Sequence, residues 1–167
     1  IENGLKVKIP ADAKLLRELM YLGHILHSHA LSTFVLTGPD VLVGIGAKPE
    51  DRNVRCLLSL AREPVKKVLR LRSIGQKIVE IVGGRGVHPV TSVPGGQTYR
   101  PNPDEITKMG LWSVEASSLV KELSDVLMKK LENISDLREI ADLPFHSLAL
   151  SDNGNVTFMQ NICRVIN

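Results

Sequence analysis

The chain has 167 residues, of which 43% are hydrophobic and 4% are aromatic, and its formal net charge is +3. This size allows one domain with an aliphatic core, so we expect a single domain over residues 1–167. The 21 basic and 18 acidic residues are too evenly balanced to indicate nucleic-acid binding, and no apolar run approaches the roughly 20 residues that span a bilayer.

The first long helix is predicted from Pro10, which fits a first helical turn because that turn does not need its missing N–H. Leucines recur from Leu15 to Leu26 at spacings of three and four, which is one apolar stripe of an α-helix. We expect this helix to continue to about Leu36 and to end at Gly38-Pro39.

A second long helix is predicted after a segment with weaker signals. Within residues 38–62 only Asn53–Ala61 indicates a short helix. Pro64 then opens the long helix, whose apolar residues recur at helical spacing as far as Val82. The pair Gly83-Gly84 is expected to end it, because glycine readily adopts the positive φ found at helix C-termini.

The segment Gly83–Arg100 cannot form a regular helix, because glycine and proline recur along it. We predict an ordered loop, with short extended pieces at Val87–Val93. Such glycines suit a backbone that packs closely against another surface or binds an anion, and a structural corner explains them equally well. The residues concerned, beyond the opening pair, are Gly86, Pro89, Pro94, Gly95 and Gly96.

A third long helix is predicted from Asn102-Pro103. Asn102 can cap the free amides, and Glu105 completes a capping box. The apolar stripe reaches about Leu131, and Gly110 predicts a break between a first turn and the main helix. A short helical piece is expected further on, at Ser135–Ala141.

The C-terminal residues change pattern from Phe145 onward. Two apolar stretches, Phe145–Leu150 and Val156–Val165, flank Asp152-Asn153-Gly154-Asn155, which is a hairpin turn signal. The predicted fold is therefore mainly α (α+β). It comprises a bundle of three long helices within residues 1–142, a Gly/Pro-rich ordered loop, and a small C-terminal β-hairpin at 144–167.

Metal-ligating residue types occur, but not in a metal-binding pattern. His24 and His27 share a helix face while His29 does not, and zinc requires three or four converging ligands. Hydrogen-bonded helix histidines are therefore favoured over a metal site. Cys56 and Cys163 form no Cys-x-x-Cys pair, so buried thiols in a reducing compartment are expected.

The middle of the chain is basic. Between Arg62 and Arg100 there are eight Lys/Arg residues and two Glu residues. A solvated helix face explains this excess, and so does a face that meets an acidic partner or an anionic cofactor. His88 lies in the same region, but no Ser, Cys or Asp is placed in sequence to support it as a general base.

The loop sequence Gly83-Gly84-Arg85-Gly86-Val87-His88-Pro89, followed by Pro94-Gly95-Gly96, resembles the central signature of nickel–iron hydrogenase large subunits. The resemblance is nearest to the cytosolic type linked to deazaflavin or heterodisulfide reduction. It covers most of residues 1–110 and extends more loosely to residue 167. Three further stretches share it: Ile1-Glu2 with Ile9-Pro10 and Leu16–Leu19, Ser28–Leu31 with Pro39-Asp40, and Leu71–Gln76.

The resemblance implies a catalytic large subunit that reversibly oxidises dihydrogen at a nickel–iron centre and passes electrons to an iron–sulfur small subunit. In that family two Cys-x-x-Cys pairs hold the metals, and neither pair is present here. We therefore interpret the chain as an internal fragment that is inactive alone and binds no cofactor itself. The alternatives are a metal-free relative, similar to the quinone-site subunit of respiratory complex I, and an unrelated helical scaffold.

The resemblance also implies site residues. His88 and Arg85 would lie near the iron–sulfur cluster of the partner. A fragment of this kind would expose apolar faces that are normally covered, so we expect a homo-oligomer. A cytoplasmic location without a membrane span is also expected. The partner-facing loop would further include Gly83, Gly84, Pro89, Gly95 and Gly96.

Overall fold

The computed structural model describes residues 1–132 and three C-terminal strands, at 147–152, 155–156 and 163–166. The chain groups into two compact units, Ile1–Leu131 and Glu132–Asn167, and each is described by itself. The single domain over 1–167 stays a prediction, and the helical piece expected at Ser135–Ala141 lies outside the described residues.

The first unit is mainly helical, and its three longest helices confirm the three long helices predicted from the sequence. A π-helical segment, Ala30–Leu36, continues directly from the first of them. No helix in the described part of the chain is long and apolar enough to cross a membrane. The elements are α1 (Glu2–Leu5), α2 (Ala11–His29), α3 (Gly38–Val43), α4 (Val54–Leu60), α5 (Arg62–Gly83), β1 (Ser92–Val93), β2 (Gly96–Gln97) and α6 (Pro103–Leu131).

Helix α5 is the centre of this unit, because it packs against both α2 and α6. Its apolar side chains recur at helical spacing over two flanks, and its largest fully buried side chains are those of Leu71, Ile74, Val79 and Val82. Aliphatic residues from the π-helical segment and from α6 complete the core, as the low aromatic content predicted. These include Ala30, Met109, Ala116 and Leu123.

Two glycines allow α2 and α5 to approach at backbone contact. A Cβ atom added to Gly75 would lie 2.6 Å from the carbonyl oxygen of Gly23 and 2.7 Å from the backbone nitrogen of His27. Near the other end of the contact, Gly83 on α5 lies against the sulfur of Met20 on α2. Residue numbers rise along one helix as they fall along the other, so the two helices are antiparallel.

The helical stretch that begins with α2 ends at Leu36, as predicted, and a separate short helix, α3, begins at Gly38. Proline is compatible with the first turn of that helix. The break predicted at Gly110 is wrong, since α6 is continuous from Pro103 to Leu131. Glycine in a helix interior costs only about 1 kcal/mol, which the rest of a long helix can offset.

The start of α6 confirms the predicted capping box. The Oδ1 atom of Asn102 accepts a hydrogen bond from the backbone N–H of Glu105 at 2.9 Å. In return, Oε2 of Glu105 accepts from the backbone N–H of Asn102 at 2.8 Å. Two amide donors that the helix leaves unpaired are thereby satisfied.

The second unit contains a three-stranded antiparallel sheet in the order β4-β3-β5. It is formed by β3 (Ser147–Asp152), β4 (Asn155–Val156) and β5 (Cys163–Ile166). Asp152 pairs with Asn155, which confirms the hairpin at the predicted position. The predicted stretch Val156–Val165 contributes to two strands and not one, since β4 and β5 pair with opposite edges of β3. On the second of these edges Cys163 pairs with Leu150.

Candidate functional site: the loop after helix α5

The loop after α5 turns back over the end of that helix. Gly84 has a φ of 78°, a left-handed conformation typical of a residue that ends a helix. The backbone N–H of Val90 donates to the carbonyl oxygen of Gly83 at 3.0 Å. A Cβ atom on Gly83 would lie 2.7 Å from Cβ of Pro89, so only glycine allows the proline ring to pack on the helix end.

A buried threonine holds the loop together. Thr91 is 6% exposed, and its hydroxyl donates to the carbonyl oxygen of Val82 at 2.7 Å. The same hydroxyl accepts from Nε2 of Gln97 at 2.7 Å. The carbonyl oxygen of Thr91 accepts from the backbone N–H of Thr98 at 2.7 Å. These bonds satisfy polar groups at the helix end and fix the path of the loop.

Strands β1 and β2 form a short hairpin at the far end of the loop. Val93 pairs with Gly96, and Gly95 between them has a φ of 80°. The sequence Pro94-Gly95 at the two central positions is typical of a type II turn. The loop is therefore ordered, as predicted, although the extended structure begins at Ser92 and not at Val87.

Arg17 of α2 anchors this hairpin, and no sequence pattern had assigned it a role. Its Nη2 atom donates to the carbonyl oxygens of Val93 at 2.6 Å and Gly96 at 2.8 Å. Its Nη1 atom donates to Oε1 of Glu2 at 2.7 Å, and this bond holds the pKa of the Glu2 carboxyl below its usual value of 4.5. The one available signal was its place within a stretch that resembles the hydrogenase family.

The two residues predicted to lie near the partner's iron–sulfur cluster are on the outer side of the loop. Arg85 and His88 are both exposed, and Val87 and Val90 beside them are 63% and 54% exposed. His88 has a φ of 52°, which a residue with a side chain adopts at a cost. A charged, a polar and several apolar side chains thus share one outward surface on a fixed backbone.

Two of the three histidines of α2 lie beside this loop. The rings of His24 and His27 lie edge to face with centroids 5.9 Å apart, which confirms their predicted shared face. With His88 they line one cleft of about 430 Å³, a convergence that sequence spacing could not show. His29 lies apart from them, its Nδ1 atom 3.0 Å from the carbonyl oxygen of Ile25.

The basic residues of the middle segment differ in whether they are paired. Two of those on α5 that lie towards α6 form ion pairs within the chain. Arg70 makes two hydrogen bonds to the carboxylate of Glu115, at 2.7 and 2.6 Å, which hold the pKa of that carboxyl below its usual value. Lys67 forms an ion pair with Glu122. In the described part of the chain, Arg85 makes no hydrogen bond or ion pair.

No family model matches the chain. It is 40% identical over 141 residues to a subunit of the F420-non-reducing hydrogenase vhu of Methanocaldococcus jannaschii, a match that covers 80% of this chain and 34% of that one. It is 30% identical over 174 residues to the NAD-reducing hydrogenase HoxS subunit beta of Cupriavidus necator, which covers 98% and 36%.

The fold agrees with these relatives. A crystal structure of an NAD⁺-reducing [NiFe]-hydrogenase in the H₂-reduced state matches with a TM-score of 0.87 and 26% identity, over 95% of this chain and 36% of that chain. The chain is homologous to part of the nickel–iron hydrogenase large subunit. It spans about a third of the length of the curated relatives it matches. The metal-free interpretation related to complex I is not favoured.

The described residues of this hydrogenase segment do not fit a nickel–iron centre. Among residues 1–132, no group of three or more His, Cys, Asp or Glu side chains lies close enough to hold a metal ion. The thiol of Cys56 is a free, half-buried group on α4. A centre held by two Cys-x-x-Cys pairs would need converging thiolates, which this segment does not supply.

Proposed function

We propose that this chain is part of the catalytic large subunit of a nickel–iron hydrogenase. The complete protein would oxidise dihydrogen reversibly and pass the electrons to an iron–sulfur small subunit. The nickel–iron centre would be held by residues of the complete protein outside this chain, and the 167 residues alone would be inactive. The observation that carries the proposal is the agreement of sequence and fold with hydrogenase subunits along nearly the whole chain.

Within that enzyme, the loop after α5 would contact the small subunit. Its backbone is fixed by Gly83, Thr91 and Arg17, while Arg85 and His88 face outward. A fixed backbone loses little conformational entropy on association. A hydrogen-bond donor beside an iron–sulfur cluster stabilises the more negative, reduced cluster and so raises its reduction potential. His88 is the residue proposed to donate this bond.

The test replaces His88 with Gly in the complete enzyme, followed by a potentiometric titration of the small-subunit clusters by electron paramagnetic resonance. We expect the potential of the nearest cluster to fall and electron transfer to slow, because the donor is lost. Unchanged potential and rate would overturn the proposed role. His88→Asn is the matched variant, because asparagine tolerates the left-handed backbone and retains a donor, and it should shift the potential less.

The enzyme proposal has its own test. The complete protein, purified with its small subunit, should contain nickel and take up dihydrogen with a redox dye as acceptor. A complete protein without nickel and without uptake would favour the metal-free module.

Self-association of the 167-residue chain is proposed as well. Leu111 and Val114 on α6 are 68% and 72% exposed, and exposed apolar surface of this kind favours association. Light scattering that shows a monomer at high concentration would count against this, while a stable dimer or larger species would support it. A cytoplasmic location is proposed on the strength of the resemblance alone.

A further inference from the structure

A groove runs between α2 and α5 on the side that faces away from α6. We call it the histidine groove and define it by His24, His27, Val79, Gly86 and His88, which line one cleft. The side of α5 towards α6 carries Arg70 and Lys77, as their contacts with Glu115 and Trp112 show.

Arg72 belongs to the groove side of α5. It lies two residues after Arg70, which is about 200° around the helix. It also precedes Gln76 and Val79 by four and seven residues, so these three share a face. Val79 lines the cleft, and the Gln76 side chain reaches to within 3.3 Å of where Gly86 would carry a Cβ atom. Arg72 therefore extends the groove along α5.

Two buried nitrogen atoms, one in the groove and one on the same face of α5, have no hydrogen-bond partner within the described residues. They are Nδ1 of His27 and Nε of Arg72. Nε of Arg17 and Nε of Arg52 share this feature, but both of those guanidinium groups bond elsewhere through their terminal nitrogens. Arg72 makes no hydrogen bond or ion pair with any described residue. Buried donors are almost always satisfied in folded proteins, so these nitrogens are available to an acceptor that is not among the described residues.

The chemistry of that acceptor follows from the donors. A guanidinium group bonds best to a planar carboxylate, and an imidazole that carries its proton on Nδ1 can donate to the same group. None of the residues that line the groove is Asp or Glu, and the exposed Arg85 adds a further positive charge nearby. The groove thus offers two donors and a positive field, without an acid of its own.

We propose that the histidine groove receives an acidic segment of the iron–sulfur small subunit, with one carboxylate bound by Arg72 and His27. This inference rests on the proposed function and extends it, because the groove continues the outward surface of the loop that carries His88. The small subunit is the favoured occupant because His88, the residue proposed to face it, lines the same groove. The exposed apolar side chains of Tyr21 and Val87 adjoin the groove and suit contact with a protein surface.

The first experiment measures the dissociation constant of the two subunits in the complete enzyme carrying Arg72→Gln. Loss of one partner of a buried charge pair should weaken association by about 30-fold or more. Arg62→Gln is the matched control, because it removes the same charge from an exposed position on the same helix and should change association by less than about threefold. Equal effects of the two variants would overturn the proposal.

The second experiment keeps the positive charge at position 72, so it remains informative if the Arg72→Gln variant does not fold. The variant Arg72→Lys places an amine in the groove, and a carbodiimide then couples that amine to an adjacent carboxylate. We expect mass spectrometry to find a new cross-link between position 72 and an Asp or Glu of the small subunit. A cross-link only to the large subunit itself, or none beyond those of the wild-type complex, would overturn the proposal.

The two proposals fail differently. If the wild-type protein neither binds an iron–sulfur subunit nor takes up dihydrogen, the proposed function is wrong and the groove proposal falls with it. If the wild-type enzyme assembles and works, but both Arg72 experiments give the overturning result, only the groove proposal is wrong.

Discussion

Arg17 donates a hydrogen bond from Nη2 to the carbonyl oxygen of Gly96 at 2.8 Å, across 79 positions of the chain. Through this bond and its partner to Val93, helix α2 holds the hairpin that ends the loop after α5. The loop that presents His88 is therefore positioned by a residue from the first long helix, and not by local turn chemistry alone.

Replacement of Arg17 with Gln should loosen the hairpin and destabilise the chain. The guanidinium group makes three hydrogen bonds, one of them to the carboxylate of Glu2, and their combined loss should cost about 2–3 kcal/mol. Urea unfolding of the chain measures the change. Lys14→Gln is the control, since Lys14 is 69% exposed in its pair with Glu18 and should contribute little. Equal stability of the two variants would contradict the anchoring role.

Two glycine substitutions, one at the contact between α2 and α5 and one on α6, should have opposite effects on stability. Gly75→Ala would place a methyl group within 2.7 Å of two backbone atoms of α2, so the helices must separate, at a cost of about 1–3 kcal/mol or more. Gly110→Ala meets nothing within 4 Å and should stabilise α6 by about 0.5–1 kcal/mol. Thermal unfolding distinguishes them, and a neutral Gly75→Ala would contradict the described packing.

The buried hydroxyl of Thr91 gives a local prediction. Thr91→Val keeps the shape but removes the bonds to Val82 and Gln97, which should cost about 1–3 kcal/mol because buried partners lose their bonds. Amide hydrogen exchange should accelerate at Thr98, whose N–H donates to the carbonyl oxygen of Thr91. Thr107→Val, at an exposed position on α6, serves as the control and should leave exchange in the loop unchanged.

The pair between Arg70 and Glu115 predicts a dependence on pH. The bonds from Arg70 lower the pKa of Glu115 in the folded chain below its usual 4.5. The carboxylate therefore stabilises the fold above the unfolded pKa, and this stabilisation is lost as pH falls through the folded pKa. Glu115→Gln should be less stable than wild type at neutral pH, and the difference should shrink in acid. A difference that persists in strong acid would contradict this assignment.

The sequence by itself determined the elements whose signals are local. The leucine stripe of α2, the recurrent apolar residues of α5 and the capping box at Asn102 each depend on spacing within a few turns. The Asp152–Asn155 turn likewise placed the hairpin. The resemblance of the loop to hydrogenase large subunits was also legible from the sequence, and the relatives and the fold bear it out.

Only the tertiary structure decided which distant residues meet. Gly23 and Gly75 lie within their helices, where a glycine has no local role that its sequence position reveals. Sequence spacing therefore could not indicate that they form the contact between α2 and α5. Nor could it separate Arg70, which bonds Glu115, from Arg72, which has no partner among the described residues. The physical reason is that helical periodicity fixes the direction of a side chain around the axis of its helix. The antiparallel packing of α2 on α5 determines which residues of the neighbouring helix lie opposite that side chain. The anchoring of the loop by Arg17 follows from that packing.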